Sequence, residues 1–157
     1  MSGTQRKLDR QAGTGRTGHD SLGTSLAGSV LRFDLATEIE ELRREPSWQQ
    51  ADHNAKTLVK HSGLRIVLIL LKAGAVMHEH KADAQLSVHA LRGRLRLHLS
   101  DQVVELLPGC LLALEGGLMH EVEAVEESAF LLSLSWPEGN RPEGNRPEGN
   151  ARTPDFD

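Results

Sequence analysis

Hydrophobic positions change their period along this chain. Leu35, Ile39 and Leu42 recur at helical spacing, Asp34 stands where an N-cap is needed, and Glu38 falls in the first turn. Pro46 follows the stop, so the spacing predicts a short helix over 34–45. After it the pattern becomes that of strands. Residues 54–60 and 64–72 are the first two, and 66–71 are apolar without a break. A strand with one wet face alternates, so this one is expected to be covered on both faces. The second cover is the helix or another subunit, and a homodimer is the expected assembly.

Further segments follow at 75–81, 85–91, 94–99, 102–107, 110–114, 120–125 and 128–136, separated by glycine, proline or polar turns. Leu95, Leu97 and Leu99 alternate with Arg94, Arg96 and His98, which sets one face inward. Many short strands at close spacing predict an all-β sandwich or barrel and leave no room for helical crossovers. Both ends lack this pattern. Residues 1–28 are rich in Gly, Ser and Thr without apolar periodicity and are expected to form a disordered head. Residues 137–151 read PEGNR, PEGNR, PEGNA, a repeat too short and too polar to build a core. The expected organisation is a head at 1–28, one domain at 29–136 and a disordered tail at 137–157.

Composition then removes whole classes of function. A chain of 157 residues suggests one domain. Aromatics are 3% with no tyrosine, too few for a stacking platform, and the net charge of -4 is wrong for a duplex binder. No apolar run reaches the roughly 20 residues of a membrane helix. Neither nucleic acid nor membrane is an expected partner. The single cysteine, Cys110, excludes a disulfide framework and a Cys-rich zinc site. No apolar stretch follows the N-terminal residues, so a cytoplasmic location is expected.

Histidine is over-represented, with eight residues. His78 and His80 stand two apart in a predicted strand, where strict alternation gives them one face with Val76 and leaves Met77, Glu79 and Lys81 on the other. His120 shares a face with Val122 and Ala124, opposite Glu121 and Glu123. All three are thus expected inward, where an unpaired polar group costs about 1–3 kcal/mol. His19 falls in the head, and His53, His61 and His98 sit among turn or charged residues, as surface positions do.

The run Gly74-Ala-Val-Met-His78-Glu-His80, with a strand ending in Gly93, resembles the first motif of the cupin superfamily. Gly109-Cys-Leu-Leu-Ala-Leu-Glu115-Gly-Gly117-Leu-Met-His120 resembles the second, with glutamate where a proline is usual. The resemblance spans about 64–136, and the fuller run from Asn54-Ala-Lys-Thr-Leu-Val-Lys60 to Glu127-Ser-Ala-Phe-Leu-Leu looks like small stand-alone bacterial cupins of unassigned function. It implies a double-stranded jelly-roll barrel with a metal in its mouth, held by His78, His80 and His120. It also implies a glutamate between the second histidine and Gly93. Counting back from Gly93 reaches Leu86, which cannot ligate; counting forward from His80 reaches Gln85, which can. The apolar face of Leu86, Val88 and Ala90 turns Gln85 away unless a bulge after Lys81 reverses it. Imidazole ligands suit Zn, Fe, Ni or Cu, and Mn is admitted through added oxygen ligands. The function then expected is that of an oxygenase, isomerase or lyase on a small anionic, oxygen-rich molecule, or of a non-catalytic metal-dependent ligand binder or sensor.

Overall fold

The computed structural model describes residues 30–137, with backbone alone for Glu79 and His80. The expected head and all but the first residue of the repeat tail lie outside the described residues. Asp34 caps the first helix by accepting from the Thr37 N–H at 3.1 Å, and α1 runs Leu35–Arg44. Pro46 was expected only as a stop. It also opens a second short helix, α2 Pro46–Gln50, because proline at the first helical position has no N–H to leave unpaired.

Nine strands follow, each matching an expected segment to within one residue at either end. They are β1 His53–Lys60, β2 Leu64–Leu71, β3 Val76–Lys81, β4 Gln85–Arg92, β5 Leu95–Leu99, β6 Val103–Leu106, β7 Leu111–Leu114, β8 Met119–Ala124 and β9 Ser128–Ser135. They form two antiparallel sheets, ordered β1-β2-β9-β4-β7 and β3-β8-β5-β6. Inward residues from both close one core: Val67, Ile69, Leu71 and Phe130 of the first sheet face Leu95, Leu97 and Val122 of the second. This is the jelly-roll arrangement that the sequence implied. Among the described residues, no helix is long and apolar enough to cross a membrane.

The uninterrupted apolar run in β2 is explained within the chain. Its odd positions enter the barrel core, while Leu68 and Leu70 pack outward under Ile39, Leu42 and Trp48 of the two helices. The run therefore needs no second subunit to cover it, and the ground for expecting a homodimer is gone. Ion pairs along the rim fix the helix. Lys56 Nζ donates to Glu38 at 2.6 Å, Arg92 to Glu40 at 2.7 Å, and Arg43 pairs with Glu127. The Glu38 carboxylate holds the Lys56 ammonium above its ordinary pKa.

One end of the barrel is closed tightly. Gly93 turns β4 into β5 with φ +75°, and a Cβ there would meet the Glu127 carbonyl oxygen at 2.2 Å. Ser128, buried beside it, accepts from the Arg94 N–H at 3.0 Å and donates to the Glu126 carbonyl at 2.8 Å. The opposite end is where β3 ends, β4 and β8 begin, and β9 finishes.

Burial separates the helix face from the rest of the surface. Leu42 is 1% exposed and Leu111 is 64% exposed. Leu42→Ala should lower stability by about 2–5 kcal/mol in urea unfolding, whereas Leu111→Ala should stay within about 0.5 kcal/mol of the parent. Equal effects would mean that the helices do not form part of the folded unit.

Candidate functional site

Strict alternation in β3 does not survive its pairing with β8. Val76 lies opposite Glu123 and Met77 opposite Val122, but the next aligned pair is His80 with His120. Residues 78 and 79 together face Glu121, which is a β-bulge. The bulge changes which residues point inward. Met77, expected on the outer side, packs against the barrel core beside Val122. His78, expected inward, is on the outer surface: its side chain is 90% exposed, with Nδ1 3.9 Å from the Glu121 carboxylate. Beyond the bulge the backbone brings position 80 level with His120.

His120 is where the alternation put it, inward and 2% exposed. Its Nδ1 lies 2.9 Å from the Leu118 carbonyl oxygen. That oxygen can only accept, so Nδ1 is the donor in this contact. A backbone carbonyl fixing the tautomer in this way is the usual support for an imidazole that ligates through its other nitrogen.

The choice between Leu86 and Gln85 is resolved by the β4 register. Leu86 aligns with Leu114 and Leu134 and is 5% exposed inside the barrel, and no bulge follows Lys81 in β4 to reverse it. Gln85 is exposed, faces away from the core and aligns with Ser135. It lines an outer-face groove of about 400 Å³ together with Ser87, Ser133, Ser135 and Glu115. The expectation that Gln85 supplies a fourth inward ligand is corrected accordingly. Among the described side chains, no three His, Cys, Asp or Glu gather to hold a metal ion.

Carboxylates near the site take the outer side of the second sheet. Glu123 receives the His98 Nε2 at 2.8 Å and Arg96 at 3.8 Å, and Arg96 also reaches Glu105 at 4.0 Å. His98, expected at the surface, is half-exposed there, and such exposed pairs each stabilise by roughly 0–1 kcal/mol. His53 pairs with Asp52 at 2.7 Å and lowers the pKa of that carboxyl.

Two residues at the open end escaped the sequence reading. Trp136 continues the inward alternation of Leu132 and Leu134 and is 7% exposed, yet its Nε1 is buried without a hydrogen-bond partner. The Arg65 guanidinium carbon stands 5.6 Å from the centre of the same ring. The available signal was the spacing 132, 134, 136. It gains meaning only once that face is known to be inside.

The fit to a metal ion is therefore partial. His120 has the burial, tautomer and carbonyl support of a ligand, and the backbone sets position 80 beside it. His78 and Gln85 are placed outward. Long-range proton–nitrogen NMR should find His120 protonated on Nδ1, with Nε2 as the bare nitrogen that shifts when zinc is added. A proton on Nε2 would remove it from the candidate ligands.

No family model matches the chain, and no curated protein matches it. Solved structures do. A cupin-2 domain protein from Shewanella frigidimarina superposes with a TM-score of 0.55 at 13% identity, covering 66% of this chain and 94% of its own. A conserved protein of unknown function from Streptococcus pyogenes gives 0.53 at 25% identity, covering 57% of this chain and 78% of its own. KdgF from Halomonas sp. gives 0.51 at 20% identity, covering 55% and 82%.

Proposed function

We propose that this chain, which belongs to the cupin superfamily by its fold, is a metal-binding protein that takes a small oxygen-rich anion in the mouth of its barrel. The observation that carries the reading is His120, buried inside the barrel with its Nδ1 held by the Leu118 carbonyl, as metal-ligating imidazoles commonly are. His80, level with it on β3, is the second proposed ligand. Zn, Fe, Ni, Cu or Mn suits such a nitrogen set with oxygen ligands completing the shell. A bound ion would supply Lewis acidity toward a carbonyl or carboxylate oxygen, the chemistry that oxygenases, isomerases and lyases use.

The chain's own part is to orient and enclose. The Leu118 carbonyl fixes the His120 ring, and Met77, Leu86 and Leu99 line or flank the interior with apolar surface. Apolar walls keep water away and strengthen any charge interaction within. A second reading, a binder or sensor without turnover, is favoured by one observation. The position where cupins place a glutamate is Leu86, and no other described carboxylate faces the core. A reaction that needs a protein carboxylate as general base has none there.

Metal uptake tests the reading. Full-length protein exposed to Zn, Mn, Fe or Ni and then desalted should retain about one ion per chain. His80→Ala and His120→Ala should each reduce uptake at least tenfold, while His78→Ala and Gln85→Ala should leave it unchanged. No retention of any of these ions by the parent would sink the proposal. Loss in His78→Ala alone would move the ion to the outer face. With ion bound, an enzyme consumes its acid substrate and a binder returns it unaltered.

A further inference from the structure

We infer that β7 is a docking edge for a second copy of this chain. Two β7 strands pair antiparallel about a two-fold axis and join the five-stranded sheets of two barrels. The inference is independent of the metal reading. It rests on the free edge of the sheet and not on the apolar run in β2, which the helices cover.

The first observation is the direction of the backbone groups. Among the described strands β7 ends the five-stranded sheet, with β4 on one side only. The Ala90 N–H donates to the Cys110 carbonyl at 3.0 Å, and the register sets Val88 opposite Leu112 and Leu86 opposite Leu114. Hydrogen-bonded pairs alternate along an antiparallel ladder, so residues 110, 112 and 114 direct their backbone groups to β4. Leu111 and Ala113 direct theirs to the free edge, and both side chains are exposed. A row of outward N–H and C=O groups is a template for another strand.

The second observation is the contrast with the other edges. Proteins blunt an edge strand with charge, proline, a bulge or a cover. β1 carries Lys56 and Lys60, breaks register between Thr57 and Val59, and lies beside α1, with Lys56 tied to Glu38. β3 has its bulge and the polar run His78, Glu79, His80 and Lys81. β6 holds Glu105, within reach of Arg94 and Arg96. β7 reads Leu-Leu-Ala-Leu, with no charge, no proline and an unbroken register against β4. Exposed apolar side chains also gather here. Among the described residues, Val103, Leu107 and Leu111 are three of seven exposed large hydrophobics, and they lie on β6, on β7 and in the turn between them.

The third observation is self-complementarity, which makes a second copy the fitting occupant. An antiparallel edge matches itself under a two-fold axis, because residue i meets j while j meets i. With the axis at Leu112, Leu111 of each copy lies opposite Ala113 of the other, and each such pair exchanges both backbone bonds. A large and a small apolar side chain then stand side by side on the outer face. Leu112 keeps its place against its own core. In this register Glu115 falls opposite Gly109 and Cys110 opposite Leu114, so no like charges meet and no disulfide is needed.

Sedimentation velocity of the full-length protein tests this, with reductant present to exclude a disulfide through Cys110. A contact along one short strand is at the small end of interface size, so dimers should form across a range of about 1 μM to 1 mM. Ala113→Pro removes an outward N–H and spares the ladder to β4, and it should weaken dimerisation at least tenfold. Leu111→Lys puts a charge on the edge and should do the same. Circular dichroism checks folding; Leu111 is exposed, so its variant decides the matter if Ala113→Pro does not fold. A second readout is hydrogen exchange. The Leu111 and Ala113 amides should slow at least tenfold from the lowest to the highest concentration in the parent, and the Ala113 amide should not slow in Leu111→Lys. A parent that stays monomeric throughout overturns the inference. If its two amides are nonetheless slow, the edge belongs to residues 1–29 or 138–157 of the same chain. A dimer that survives either substitution in a folded variant, or leaves both amides exchanging freely, also overturns it by placing the interface elsewhere.

Discussion

The site depends on one irregularity in the ladder between β3 and β8. Two residues of β3 occupy the space opposite Glu121, and every inward assignment in that strand follows from it. A period of two means that a single inserted residue exchanges the faces of all that precede it. Met77 thereby joins the core, His78 is turned out toward Glu121, and position 80 returns level with His120. Without the bulge, both histidines of the motif would share a face and Met77 would be left in solvent. Burial of Met77 beside Val122 favours the irregular register, since apolar area removed from water stabilises at roughly 25 cal/mol per Å².

Much of the architecture was legible in the chain. Gly93 and Gly117 stand at turns with positive φ, and the alternation of Leu95, Leu97 and Leu99 marked the inward face correctly. Leu86 was correctly read as inward over Gln85, because the apolar row of Leu86, Val88 and Ala90 outweighs a one-residue count between motifs. What the pattern hid has physical reasons. The β3 bulge leaves no mark in residue type, since the adjacent Val76 and Met77 suit either face. The cover over Leu68 and Leu70 could not be assigned to helix or neighbour from β2 alone, because long-range packing decides it. The helix α2 spans only five residues, too few for a period to show. Arg65 and Trp136 are far apart in sequence and meet only through the β2–β9 pairing.

A division of charge organises what the molecule can do. Salt-bridging side chains form a ladder on the outer side of the four-stranded sheet, where water screens them. The inward rows are apolar over most of their length, and near the end of β9 the Arg65 guanidinium stands over the Trp136 ring.

The bulge brings position 80, not position 78, level with His120, which makes His80 the proposed second ligand. Anomalous diffraction from crystals of the zinc-loaded protein tests it most directly. A single strong peak is expected inside the barrel, within bonding distance of an imidazole nitrogen of His120 and one of His80. A peak on the outer face instead, shared by His78 and the Glu121 carboxylate, would contradict it.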